Sequence, residues 1–190
     1  MSIDLNNASY NNLISTKVIA ILQMNLTFHD DGPEGVLKYT KARDAAGLDI
    51  KYTVVEGPHA KRTFFGYLLI QGEKDGQKQM VDRNKGLLRA IVESAHYLDP
   101  SDNSAETCEK RKPELRDLDG LRFLGEIGIE KGKDGFDDKN VITRAITRDM
   151  PQWGNRPPIE QIAAGGKGGS TGGGGAPPPP SAPPKPPWAD

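Results

Sequence analysis

A chain of 190 residues, 35% hydrophobic and 27% charged, has room for one domain around a single core. A formal net charge of −1 gives no overall attraction to a polyanion, so any nucleic-acid binding must rest on a local stripe of cations. One cysteine, Cys108, excludes an internal disulfide and a cysteine cage for a metal, and no apolar run is long enough to span a bilayer.

The opening segment, MSIDLNNASYNNLIST, lacks the basic stretch and apolar run of a secretory signal. Residues 1–16 are expected to form an N-terminal arm on a soluble, cytoplasmic protein. In residues 17–28 the side chains of Val18, Ala20, Leu22, Met24, Leu26 and Phe28 share one face, while Gln23, Asn25 and Thr27 share the other. That period of two predicts a strand with one buried side. HDDGPEG breaks it with turn chemistry. A second strand region follows in GVLKYTKA and LDIKYTVVEG, separated by the polar RDAAG, and a third in RTFFGYLLIQ, residues 62–71.

From about residue 77 the period changes. Met80, Leu87, Leu88, Ile91, Ala95 and Leu98 recur at helical spacing, which predicts one principal helix to about residue 97. The charged SAETCEKRKPELRDLDG suggests a short helix or an irregular excursion. LDGLRFLGEIGIE then reads as a strand, KGKDGFDDKN as a hairpin connection and VITRAITRD as the return strand. The prediction is mainly β with one principal helix. A helix between strands three and four of five favours a five-stranded OB-like barrel over residues 17–152, ahead of a generic α+β sheet.

The remainder has a different character. Half of the last 40 residues are glycine or proline, nine and eleven respectively. Apolar side chains are too few there to offset the entropy of ordering the backbone, so residues 153–190 are expected to be a disordered Gly/Pro-rich tail. Trp188 and Asp190 give it an aromatic-acidic tip that a partner's pocket could grip.

Nothing in the chain has the spacing of an active site. His29, His59 and His96 fall on different elements, and KDGFDD lacks the alternating acids and closing glutamate of a calcium loop. There is no glycine-rich phosphate loop or nucleophile elbow, and no base is placed for Cys108 beside EKRK. No enzymatic activity, metal or cofactor is expected. Binding is better supported, because cations stand beside aromatics along the strands. Lys51, Arg62, Arg122 and Arg144 are the candidate phosphate contacts, with Phe65 and Tyr67 as candidate stacking rings. Most aromatics of a small barrel are core, so the parity of the third strand decides. It buries Phe64, Leu68 and Ile70, exposes Phe65 and Tyr67, and leaves Tyr52 with Ile50 and Val54 in the core.

A compact strand-binding barrel, the linker GGKGGSTGGGGAPPPPSAPPKPP and the tip PPWAD together resemble the bacterial single-stranded DNA-binding protein family. The stretch YTVVEGPHAKRTFF is similar to proteins carried by bacterial viruses and prophages, which points to a phage-type relative acting in a bacterial host cell. The tip departs from the family pattern of several acids before a final Pro-Phe, since Trp188 here precedes Ala189 and Asp190. The resemblance implies an OB-fold that coats single-stranded DNA in replication or recombination, with Trp188 and Asp190 recruiting replication or recombination proteins. It implies no membrane and leaves homo-oligomerisation open. The alternative is a protein-interaction module with a polyproline tail and no DNA binding.

Overall fold

The structure is a computed structural model that describes residues 13–29, 35–133 and 135–161. Most of the expected arm, and the tail from residue 162 with Trp188 and Asp190, lie outside these residues. The described chain forms β1 (Val18–Leu26), β2 (Lys38–Tyr39), β3 (Ala45–Val54), β4 (Thr63–Gly72), α1 (Asp75–Ala95), α2 (Ala105–Lys110), a 3-10 turn (Leu115–Leu118), β5 (Leu121–Glu130) and β6 (Lys139–Ala145).

All strand pairs are antiparallel, and β3 is the hub of a six-stranded sheet. One edge of β3 carries β4 along its length, while the other is shared between β2 at Ala46 and Gly47 and β1 from Ile50 to Val54. On its far side β1 pairs with β5, and β5 with β6. The mainly β architecture with one principal helix follows the expectation. The sixth strand is the two-residue β2, cut from the expected second strand by the Thr40–Asp44 turn, where the Thr40 hydroxyl donates to the Asp44 carboxylate.

The sheet is open. Strands β4 and β6 come near one another, yet among the described residues no ladder joins them. Strand β6 is only seven residues long, and the chain leaves the sheet after Ala145 through a turn in which the Thr147 hydroxyl donates to Asp149.

The alternation in β1 and β3 sends Leu22, Met24, Leu26, Leu48, Ile50, Tyr52 and Val54 to one side, where they meet Phe64, Phe123 and Ile127. The Tyr52 ring lies 5.3 Å from Phe64 and 6.2 Å, edge-on, from Phe123. Phe28 departs from its expected face: it lies past the end of β1, half exposed, with the Arg116 guanidinium 6.0 Å from its ring centre. Helix α1 covers the core with Ile91, Val92 and Ala95. Its start is held by Gln77, whose side-chain oxygen accepts from the amides of Glu73 and Lys74. Met80 is exposed, and Val81 takes the buried place expected for it, beside Leu69 and Ala45. Neighbouring helix positions point in different directions, and the one that meets Leu69 and Ala45 is Val81.

Charged residues 99–112 are tied to α1 by a buried pair. Glu93 accepts from Arg89 at 2.8 Å and from Arg111 at 2.7 Å. Arg111 also donates to the carbonyls of Asp99, Pro100 and Asp102.

The folded unit extends beyond the expected boundaries at 17 and 152. Ile14 is buried, and Asn140 closes two hydrogen bonds with its backbone. Trp153 is 3% exposed and packs with Ile159 on Leu124 and Ile146. The Gln161 side chain then pairs with both the amide and the carbonyl of Arg122. The reading of residues 153–161 as tail is thus corrected. Two apolar anchors in a polar, Pro/Gly-flanked stretch were enough to dock it.

Candidate nucleic-acid interface

The sheet side opposite the core is built by the same alternation that fills the core. On β4, Thr63, Phe65 and Tyr67 point outward; on β3, Asp49, Lys51 and Thr53; on β1, Ile19, Ile21, Gln23 and Asn25. Register turns these into rows. Phe65 stands opposite Lys51, and Lys51 opposite Asn25. One step along, Thr63, Thr53, Gln23 and Arg122 align across four strands. Arg122 Nε donates to Gln23 Oε1 at 3.3 Å, and Gln23 Nε2 donates to Asn25 Oδ1 at 3.2 Å. Ring, cation and amides thus form one continuous surface.

Phe65 is 68% exposed and Tyr67 is 44% exposed, as the strand parity expects. Tyr67 does not stand free of the sheet. Its ring lies over Gly47, where an added Cβ would come within 2.6 Å of a ring carbon, and its hydroxyl donates to the Lys38 carbonyl at 3.4 Å. A side chain at position 47 would lift the ring, so glycine there sets its angle. Burial, followed by the nearby Asp49 charge, raises the Tyr67 phenol above its ordinary pKa, so the ring stays neutral. Asp49 is flanked by Lys38 Nζ at 2.7 Å and His29 Nε2 at 3.2 Å. Its hydrogen bond with Lys38 raises the lysine's pKa and holds it charged.

The cations divide into distinct settings. Lys51 is exposed beside Phe65 and has no ion-pair partner among the described residues. Arg122 is half-buried and turned onto Gln23. Arg62 precedes β4, at the end of the β3–β4 connection, with Nη1 3.5 Å from His59 Nδ1. Arg144 lies apart from these, opposite Glu126 on the β5–β6 pair. There it donates to Glu126 Oε2 through Nε at 3.1 Å and Nη2 at 2.8 Å. That contact, together with a hydrogen bond from Thr143, outweighs burial and draws the Glu126 carboxyl below its usual pKa. Lys51, Arg122, Phe65 and Tyr67 therefore come together, Arg62 sits at their margin, and Arg144 is removed from them.

One exposed ring escaped the sequence reading. Phe136, 80% exposed, crowns the β5–β6 hairpin beside Lys133, and only its setting between two charged turns could have signalled it. The hairpin leaves the sheet at the same end as the β3–β4 connection, because β1 runs antiparallel to both β3 and β5.

Among the described residues, no group of three His, Cys, Asp or Glu side chains is placed to hold a metal, and no helix is long and apolar enough to cross a membrane. In comparisons with known proteins, no family model and no curated protein matches the chain.

Proposed function

We propose that the chain is a non-sequence-specific single-stranded DNA-binding protein whose tail tip recruits partner proteins in phage DNA replication or recombination. The observation that carries the reading is the row Phe65–Lys51–Asn25: an exposed ring, a cation with no ion-pair partner among the described residues and an amide side by side on three strands. A single strand needs this combination, since every base has a face to stack and every nucleotide a phosphate to attract. A duplex hides its base faces in the stack, whereas a single strand leaves them open to the ring.

The connectivity supports an OB-type assignment. The order β4–β3–β1–β5–β6, with the principal helix between β4 and β5, is that of a Greek-key barrel whose β4–β6 seam is unzipped. In such folds the second and third long strands, here β3 and β4, carry the oligonucleotide surface. The replication role, the phage setting and the recruiting function of Trp188 and Asp190 rest on the sequence resemblance.

A second reading, a protein ligand on the same face, is favoured by the pairing of Lys38 and Arg144 with acids. Titration of the full chain with labelled oligo(dT) and with duplex at several salt concentrations separates the two. A steep negative salt slope with the single strand, and much weaker duplex binding, is expected. Equal or absent binding to both would leave the protein-ligand reading standing.

A further inference from the structure

The outward face does not stop at Gln23. Ile19 and Ile21 continue its parity toward the start of β1 and floor a cleft of about 320 Å³. Its walls are Val54, the connection at residues 56–59, and Arg156 of the C-terminal segment. Gly57 turns that connection with φ of 85°, in the region that favours glycine. The volume lies at the low end for small-molecule sites, roughly 300–1,000 Å³, which suits one nucleoside.

Two opposite charges meet at this cleft: Arg156 Nη1 lies 3.4 Å from Glu56 Oε1. Both side chains are well exposed, so the pair contributes little stability and parts at little cost. Once parted, they offer a carboxylate acceptor and a guanidinium donor above an apolar floor.

We infer that this cleft receives one unstacked base of a bound strand, and that guanine is the base it fits. The inference rests on the single-strand reading above. Thr53 and Gln23 sit between the Phe65–Lys51 row and the Ile21 floor, so a strand crossing the face arrives at the cleft's rim. Guanine presents two adjacent donors, N1–H and the N2 amino group, to the Glu56 carboxylate, and its O6 and N7 accept from Arg156. Adenine and cytosine each set a ring-nitrogen acceptor beside their single amino group, against the carboxylate. Thymine offers one donor between two carbonyls. The apolar floor replaces the stacking that a base loses on leaving its neighbours. The face itself remains indifferent to sequence, and the cleft adds a bias at one position.

The test uses the full chain and oligo(dT) carrying one central dG or one central dA, read by fluorescence anisotropy. The dG strand is expected to bind about tenfold tighter than the dA strand, the discrimination of one good bidentate contact. Replacing Glu56 and Arg156 together with alanine is expected to bring that ratio to about one. Independently, dGMP alone is expected to shift the amide NMR signals of Ile19, Ile21 and Gly57. A ratio near one in the unaltered protein, a ratio that survives the double replacement, or unmoved amides overturns the inference. Failure of oligo(dT) to bind at all overturns the proposed function instead, and the dGMP titration then judges the cleft alone. Deleting residues 187–190 supplies the last control. If that deletion moves the same amides in the free protein, Trp188 is the occupant and the base assignment falls.

Discussion

Replacing Phe65 with alanine separates a binding ring from a structural one. Phe65 is 68% exposed, so about a third of its surface is withdrawn from water. Fully burying a phenylalanine is worth about 1.5–3 kcal/mol, which scales to about 0.5–1 kcal/mol for this fraction. For a domain of this size the melting temperature should fall by only about 1–4 °C. Stacking of one base on an aromatic ring is worth about 1–3 kcal/mol, so affinity for oligo(dT) should drop about 5- to 150-fold. Tyr52→Ala provides the contrast. Tyr52 is buried between Phe64 and Phe123, and loss of such a ring costs about 3–5 kcal/mol. Anisotropy titration and thermal melting of both variants give the four numbers needed. A Phe65→Ala protein that binds oligo(dT) as tightly as the parent would refute the interface. One that melts as early as Tyr52→Ala would refute the assignment of inner and outer faces.

The salt dependence should distinguish the cations. Lys51→Ala is expected to lower the slope of log affinity against log salt by about one unit, while Arg144→Ala, whose charge Glu126 already engages, should leave it unchanged; equal slopes for the two would undo the distinction. Arg111→Ala leaves the 95%-buried Glu93 side chain with Arg89 alone and should cost about 3 kcal/mol in urea unfolding, the low end for breaking a buried pair. A loss below about 1 kcal/mol would mean that residues 99–112 are not anchored through this contact. Limited proteolysis followed by mass spectrometry should give a stable fragment that retains Trp153, Ile159 and Gln161, because these are packed or hydrogen-bonded. Early cleavage between Trp153 and Ile159 would contradict that packing.

Much of this architecture is written in local periodicity. A period of two in β1, β3 and β4, and its replacement by a period near 3.6 in α1, are properties of neighbouring residues. They sufficed to place the elements within a few residues and to sort Phe64 from Phe65 and Tyr52 from Lys51. Where periodicity ran past the end of an element it misled. Phe28 keeps the parity of β1 but lies beyond the last pairing, where no strand remains to bury it.

What only the tertiary structure decided is which distant residues meet. That Lys51 stands between Phe65 and Asn25 depends on the register of three strands, which long-range pairing sets and no local pattern encodes. The two hydrogen bonds from Arg144 to one oxygen of Glu126 are of the same kind, and they engage a cation that the sequence alone left available. So is the docking of Trp153 and Ile159. Composition assigned them to a tail because few apolar residues surround them in sequence. In space, Leu124 and Ile146 supply the apolar surface that the segment lacks, and burial follows the neighbours in space rather than those along the chain.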